Sequence, residues 1–136
     1  MKSEKNMKQK RSFVLGEEEN EAVQLFSELG MPKNLAKTML YVSEVKECHT
    51  KDIERGADLR QPEVSVAMRE LRKRRWITKR DLKKKGKGRP VHIYSSTKPL
   101  SEILKTFEQE KLQEIEGVKK DLSKLKNIVV RGKVGA

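Results

Sequence analysis

The chain has 136 residues, 35% of them apolar and 4% aromatic, which suffices for one modest aliphatic core and excludes a chain of several large domains. Lys and Arg (32) outnumber Asp and Glu (20), and the net charge of +12 points to a polyanionic partner, nucleic acid ahead of an anionic membrane surface. No apolar run approaches the roughly 18 residues of a spanning helix, and residues 1–11 lack the apolar centre of a signal peptide. The expectation is a cytoplasmic protein with no membrane role. Cys48 has no second cysteine to pair with, and with only His49 and His92 as imidazoles the sequence has no zinc-like spacing, so neither metal nor cofactor is expected. Cys48 reads as a small, partly buried apolar residue.

Residues 1–16 read as a basic, disordered N-terminal arm, with Phe13, Val14 and Leu15 available to dock on the main domain. That domain is expected over 17–97. In its first helix, Ala22, Val23, Leu25, Phe26 and Leu29 recur at helical spacing until Gly30 stops it. Pro32 suits the start of a second helix, whose buried face runs through Leu35, Ala36, Met39, Leu40, Val42 and Val45. Residues 48–50 are too few for more than a bridge. Thr50 is the expected N-cap of a helix of barely two turns, and Gly56 its left-handed stop.

After a turn at Asp58, Leu59 and Arg60, a longer helix is expected over 61–75, with Val64, Ala67, Met68 and Leu71 facing inward. A short helix, a tight turn and a longer basic helix make a helix-turn-helix, whose second helix enters the major groove of DNA. The residues outside the inward stripe are the candidates for base contact: Arg60, Gln61, Glu63, Ser65, Val66 and Arg69. Arg matches the two acceptors of guanine, Gln suits adenine, and Val66 suits a thymine methyl. Thr50 and Lys73 are candidates for phosphate contact.

From Arg69 to Arg89 there are twelve Lys or Arg against Glu70 and Asp81, nearly the whole net charge in about one-sixth of the length. The segments WITKRDL and VHIY both alternate and read as an antiparallel hairpin. Its tip carries Lys83, Lys84, Lys85, Lys87 and Arg89, cations suited to phosphates, with Arg89 also suited to a minor groove. The glycines of the tip do not make a nucleotide-binding loop, which needs a Gly-Lys-Ser or Gly-Lys-Thr ending before a helix.

The stretch DLRQPEVSVAMRELRKRRWI followed by GRPVHIY resembles the winged helix-turn-helix transcription regulators, and within them the single-domain relatives of the archaeal TrmB-type and MarR-like regulators. The resemblance covers roughly residues 25–97. It implies a dimeric DNA-binding repressor or activator that uses Gln61, Glu63, Ser65, Val66 and Arg69 on the recognition helix and Arg89 in the wing. It departs from the family at Arg75, where Gly is usual, and near Arg60, where Ser or Thr is usual. The effector domain of full-length TrmB-type proteins has no counterpart here, so the resemblance gives no basis for naming a sugar ligand, and a small-molecule effector is left open.

Residues 98–130 read as one long helix, with 131–136 as a frayed tail. Ile115, Val118, Leu122, Leu125 and Val129 fall at alternating three- and four-residue steps, as on a coiled-coil seam, and Leu104 and Phe107 extend it upstream across a stutter at Lys111. These seven are the candidate dimerisation residues, packing of the stripe on the same chain's first helices being the other reading. The expected fold is mainly α with a small β-hairpin: a winged helix-turn-helix followed by a long dimerisation helix. The expected function is sequence-specific binding of double-stranded DNA as a homodimer. A module that binds nucleic acid without regard to sequence, or that serves RNA or the transcription or translation machinery, is the alternative. No carboxylate pair, activated nucleophile or metal cluster suggests an enzyme.

Overall fold

The computed structural model describes residues 13–82, 91–132 and 135. The chain divides into two compact units, 1–100 and 101–136. The first contains α1 (Glu17–Glu28), α2 (Lys33–Val45), β1 (Glu47–Cys48), α3 (Thr50–Gly56), α4 (Gln61–Lys73), β2 (Ile77–Leu82) and β3 (Val91–Ser96). The second is almost entirely α5 (Leu100–Val130), which begins at the last residue of the first unit.

Three glutamates fill the first turn of α1, where negative charge meets the positive end of the helix dipole, and Glu19 accepts the Gly16 N–H at 2.9 Å. Val23 and Phe26 are its buried residues, whereas Leu25 is 55% exposed and Leu29 is also exposed. The inward stripe is therefore narrower than the apolar pattern implies. At the end of α1, Gly30 (φ 100°) donates to the Ser27 carbonyl and Met31 to that of Phe26, a Schellman turn that a glycine makes at no steric cost. The face of α2 is buried as expected, and Tyr41 and Thr38 are fully covered with it. Thr38 satisfies its hydroxyl on the Asn34 carbonyl at 2.8 Å, the usual way for a buried threonine in a helix to avoid an unpaired donor.

The start and end of α3 both differ from the sequence expectation. His49, not Thr50, is the N-cap; its N–H donates to Asp52 Oδ2 at 2.9 Å, and Thr50 is already helical and half-buried. Gly56 stays within the helix, and the left-handed residue is Asp58 (φ 53°), after which Leu59 N–H reaches back to the Glu54 carbonyl. Asp tolerates that conformation better than most side chains. What Gly56 supplies is space: a Cβ there would overlap the Tyr41 ring and lie 2.7 Å from the Phe13 carbonyl oxygen. The segment before α1 is pinned at the same spot, with Leu15 N–H donating to the Gly56 carbonyl at 2.9 Å and Phe13 6.1 Å from the Tyr41 ring. Residues 13–15 thus dock on α3; residues 1–12 of the expected arm lie outside the described residues.

The expected hairpin is present, with β2 and β3 antiparallel and Asp81 opposite His92. It belongs to a three-stranded sheet of order β1-β3-β2, because Glu47 and Cys48 pair with Ser95 and Tyr94. Two residues are too short to carry an alternating pattern, so the sequence reads them as a bridge. Cys48 is 2% exposed, and burial pushes its thiol up to about 12, which leaves it chemically quiet at neutral pH.

In the second unit, Ile103 and Phe107 are buried, whereas Leu104, Leu112, Ile115, Val118, Leu122, Leu125, Ile128 and Val129 are exposed. Phe107, expected on the dimerisation seam, is 4% exposed, unlike the other six seam residues. No described helix is long and apolar enough to cross a membrane.

Substituting Gly56→Ala places a methyl where the Tyr41 ring already lies, and overpacking of this kind costs about 1–3 kcal/mol. A lower urea midpoint with an unchanged slope is the expected result; an unaltered midpoint would mean that α3 and α2 can separate at no cost.

Candidate nucleic-acid interface

The recognition helix is positioned by what it buries. Val64, Ala67, Met68 and Leu71 are all within a few per cent of complete burial, one side of α4 packing on α2 and α3. The opposite side presents Gln61, Ser65, Val66, Arg69, Arg72 and Lys73 to solvent, with Val66 62% exposed. An apolar side chain left in water in the middle of a basic face carries a hydration cost that a contact with another apolar group would remove.

Glu63, a candidate for base contact by sequence, is occupied within the chain. Its carboxylate accepts the Arg60 N–H at 2.8 Å and the Asn34 side-chain amide at 3.2 Å, so it braces the start of α4 against α2. The backbone hydrogen bond from Arg60, helped by Asn34 and the nearby Arg60 and Lys37 charges, holds this carboxyl below its ordinary pKa. Arg60 has no side-chain acceptor with which to cap the first turn of α4, so only the Glu63 half of a capping box is made.

The cations on α4 and β2 are sorted. Arg74 pairs with Glu70 at 3.2 Å and stacks over the Trp76 ring at 5.0 Å, and Arg80 reaches across β3 to Glu47 at 3.1 Å. By contrast Arg69, Arg72, Lys73, Arg75 and Lys79 line one open cleft between α4 and β2, together with Ile77, Thr78 and Thr97. Among the described residues none of these five forms a salt bridge, and no acidic side chain lines the cleft. A row of unneutralised cations over a trough lacking carboxylates has the charge and the donors that phosphate oxygens require. Arg72, Arg75 and Lys79 are members that the sequence pattern does not single out; only their adjacency across α4 and β2 reveals them, and no local signal encodes it.

Arg69 and Arg72 also border a second hollow with Thr50, Gln61, Ser65, His92 and Tyr94, which brings Thr50 beside the exposed face of the helix. The wing is fixed there by two contacts. His49 Nδ1–H donates to the His92 carbonyl at 3.2 Å, and the His92 ring meets Asp81 at 2.6 Å across the two strands. The cations of the wing tip, Lys83, Lys84, Lys85, Lys87 and Arg89, lie outside the described residues.

Where α4 ends, Arg75 N–H donates to the Arg72 carbonyl and Trp76 N–H to that of Leu71, the same Schellman pair as at Gly30. Here the left-handed residue is an arginine, with φ 64°. Thr97 holds the turn, its hydroxyl donating to the Arg75 carbonyl at 2.7 Å and its N–H to that of Trp76 at 3.0 Å. The backbone that a glycine would normally serve is kept while a cation is added to the cleft.

Helix, helix, strand, helix-turn-helix and a two-stranded wing define a winged helix-turn-helix fold. Solved structures share it: a possible transcriptional regulator from Methanosarcina mazei Go1 (TM-score 0.58, 16% identity, over 76% of this chain and 86% of that one). The archaeal chromatin protein TrmBL2 is similar as well (TM-score 0.52, 17% identity), over 87% of this chain, which spans 47% of that protein. A MarR family regulator from Neisseria meningitidis aligns at TM-score 0.46 and 14% identity, over 84% of this chain and 89% of that one. No family model matches the sequence. No curated protein matches it either.

Arg75→Gly removes the left-handed strain of roughly 1 kcal/mol or more and gives back part of it in unfolded-chain entropy, for an expected net gain of about 0.5–1 kcal/mol. Urea unfolding would register this as a higher midpoint; a lower one would show that the Arg75 side chain stabilises the fold by more than its backbone costs.

Proposed function

We propose that the protein is a DNA-binding transcriptional regulator that acts as a homodimer on double-stranded DNA. In this reading α4 enters the major groove, and the α4–β2 cleft follows the phosphates of one strand. The observation that carries it is the sorting of the cations: those paired with Glu70 and Glu47 stand apart, and five without acidic partners converge beside the exposed face of α4. Gln61, Ser65, Val66 and Arg69 are the residues for base contact, while Lys73, Arg75, Lys79 and the wing-tip cations, Arg89 among them, serve the backbone. The exposed stripe of α5 supports dimerisation, because so many half-exposed aliphatic side chains in one row are rarely left to water.

A second reading is a coat that binds DNA without regard to sequence. Its support is the loss of Glu63 from the base-facing set and the weight of charge over direct readers; the structurally similar TrmBL2 is described as a chromatin protein with a novel mode of DNA binding.

The two readings separate by mutation. Arg69→Ala should weaken binding to a selected duplex by about 1–3 kcal/mol and relax preference at one base position. Lys79→Ala should weaken binding to selected and random duplexes alike and lower the slope of log K against log salt by about one phosphate's share. Fluorescence titration of both variants at several salt concentrations checks this. If Arg69→Ala behaves as Lys79→Ala does, Arg69 reads no base and the coat is favoured.

A further inference from the structure

On α5 the exposed stripe has a strict heptad: Ile115, Leu122 and Val129 occupy one core position (a), and Val118 and Leu125 the other (d). The flanking positions are then set by the sequence. The g positions are Glu114 and Asp121, with Ile128 next; the e positions are Lys119 and Lys126, with Leu112 before them. All the charged g residues are acidic and all the charged e residues are basic.

That division distinguishes the two ways in which a second copy could lie on the stripe. In a parallel pair each g residue meets the e residue five places on in the partner, so Glu114 faces the partner's Lys119 and Asp121 the partner's Lys126. In an antiparallel pair g meets g and e meets e, which sets acid against acid and Lys against Lys. The coarse charge of the helix argues the other way. Residues 100–116 carry five Glu against Lys105 and Lys111, and 117–132 carry four Lys and Arg131 against Asp121, a gradient that would attract an antiparallel copy. Distance decides between them. Of the remaining charges of that gradient, Glu102, Glu110, Glu116, Lys120, Lys124 and Arg131 fall at the outer b, c and f positions, where salt screens them, whereas e and g side chains touch. Within the single chain Glu114 bonds Lys111 at 3.1 Å, and Lys119 approaches Glu116 at 3.6 Å. Both are exposed pairs three residues apart, too weak to hold these side chains from a partner.

We propose that α5 binds α5 of a second copy in parallel and in register, with Glu114–Lys119 and Asp121–Lys126 pairs between chains fixing the orientation. This rests on the proposed homodimer and adds its geometry. The two Leu100 ends lie side by side, about 10 Å apart, where an antiparallel pair would separate them by much of the roughly 46 Å length of the helix. Both DNA-binding units then leave the same end of the rod.

The test uses the full chain in sedimentation equilibrium. The wild type should be a dimer, Glu114→Lys should raise its dissociation constant at least about fivefold, and Glu114→Lys with Lys119→Glu should restore it to within about twofold. An antiparallel dimer in which position 114 meets the partner's Asp121 would instead be tightened by Glu114→Lys, which would replace an acid–acid contact by an attractive one. A Cys48→Ala, Val129→Cys variant under mild oxidation should give a disulfide-linked dimer, since like positions face each other only in the parallel arrangement. A wild-type monomer would overturn dimer and orientation together. A wild-type dimer without the Val129→Cys cross-link, or one tightened by Glu114→Lys, would overturn the orientation and leave the dimer standing.

Discussion

The candidate interface depends on the inability of α4 to roll. Its four buried residues, Val64, Ala67, Met68 and Leu71, hold one side of the helix against the core, and burying the three larger ones stabilises that orientation by about 1.5–3 kcal/mol each. A turn of half a residue step would lift part of that surface into water and push Arg69 or Arg72 toward the core without a partner, so both sides of the helix penalise it. The same constraint is applied at each end. Glu63 ties the first turn to Asn34 of α2, and the left-handed turn at Arg75, held by Thr97, sets the angle at which β2 departs. The direction of the basic face is therefore a consequence of aliphatic packing, and the cations only use it.

That separation explains which parts of the fold are legible in the sequence. The order of helices, the inward stripe of α4 and the two alternating strands of the wing follow from periodicity, and each element falls within two residues of its expected place. Features set by a partner far along the chain are not legible. Glu63 looks like a base reader until α2 brings Asn34 to it, and the pairing of Glu47 and Cys48 with β3 has no local signal. Gly56 suggests a helix stop because glycine often makes one, but here the Tyr41 ring and the Phe13 carbonyl claim its missing Cβ. Leu25 and Leu29 match the helical period and still face solvent, since a pattern gives the spacing of a stripe and not its width.

The basic cleft beside α4 illustrates the same limit within the candidate site. Twelve basic residues between 69 and 89 are plain in the sequence, yet which are neutralised is a matter of tertiary neighbours: Glu70 on the same helix takes Arg74, and Glu47 across the sheet takes Arg80. What remains is a directed set of charges beside the exposed face of α4. Arg75 in particular is a cation placed where backbone geometry favours glycine, so the fold carries a local strain at the residue that adds this charge to the cleft.

The most direct test is selection of bound duplexes from a random pool by the wild-type protein, followed by methylation protection on the selected sequence. A recognition helix seated in the major groove predicts an enriched, two-fold-related sequence in which guanine N7 atoms are protected in two half-sites about 34 Å apart. A pool that yields no enriched sequence, bound with an affinity set by salt alone and with its guanines unprotected, would contradict it.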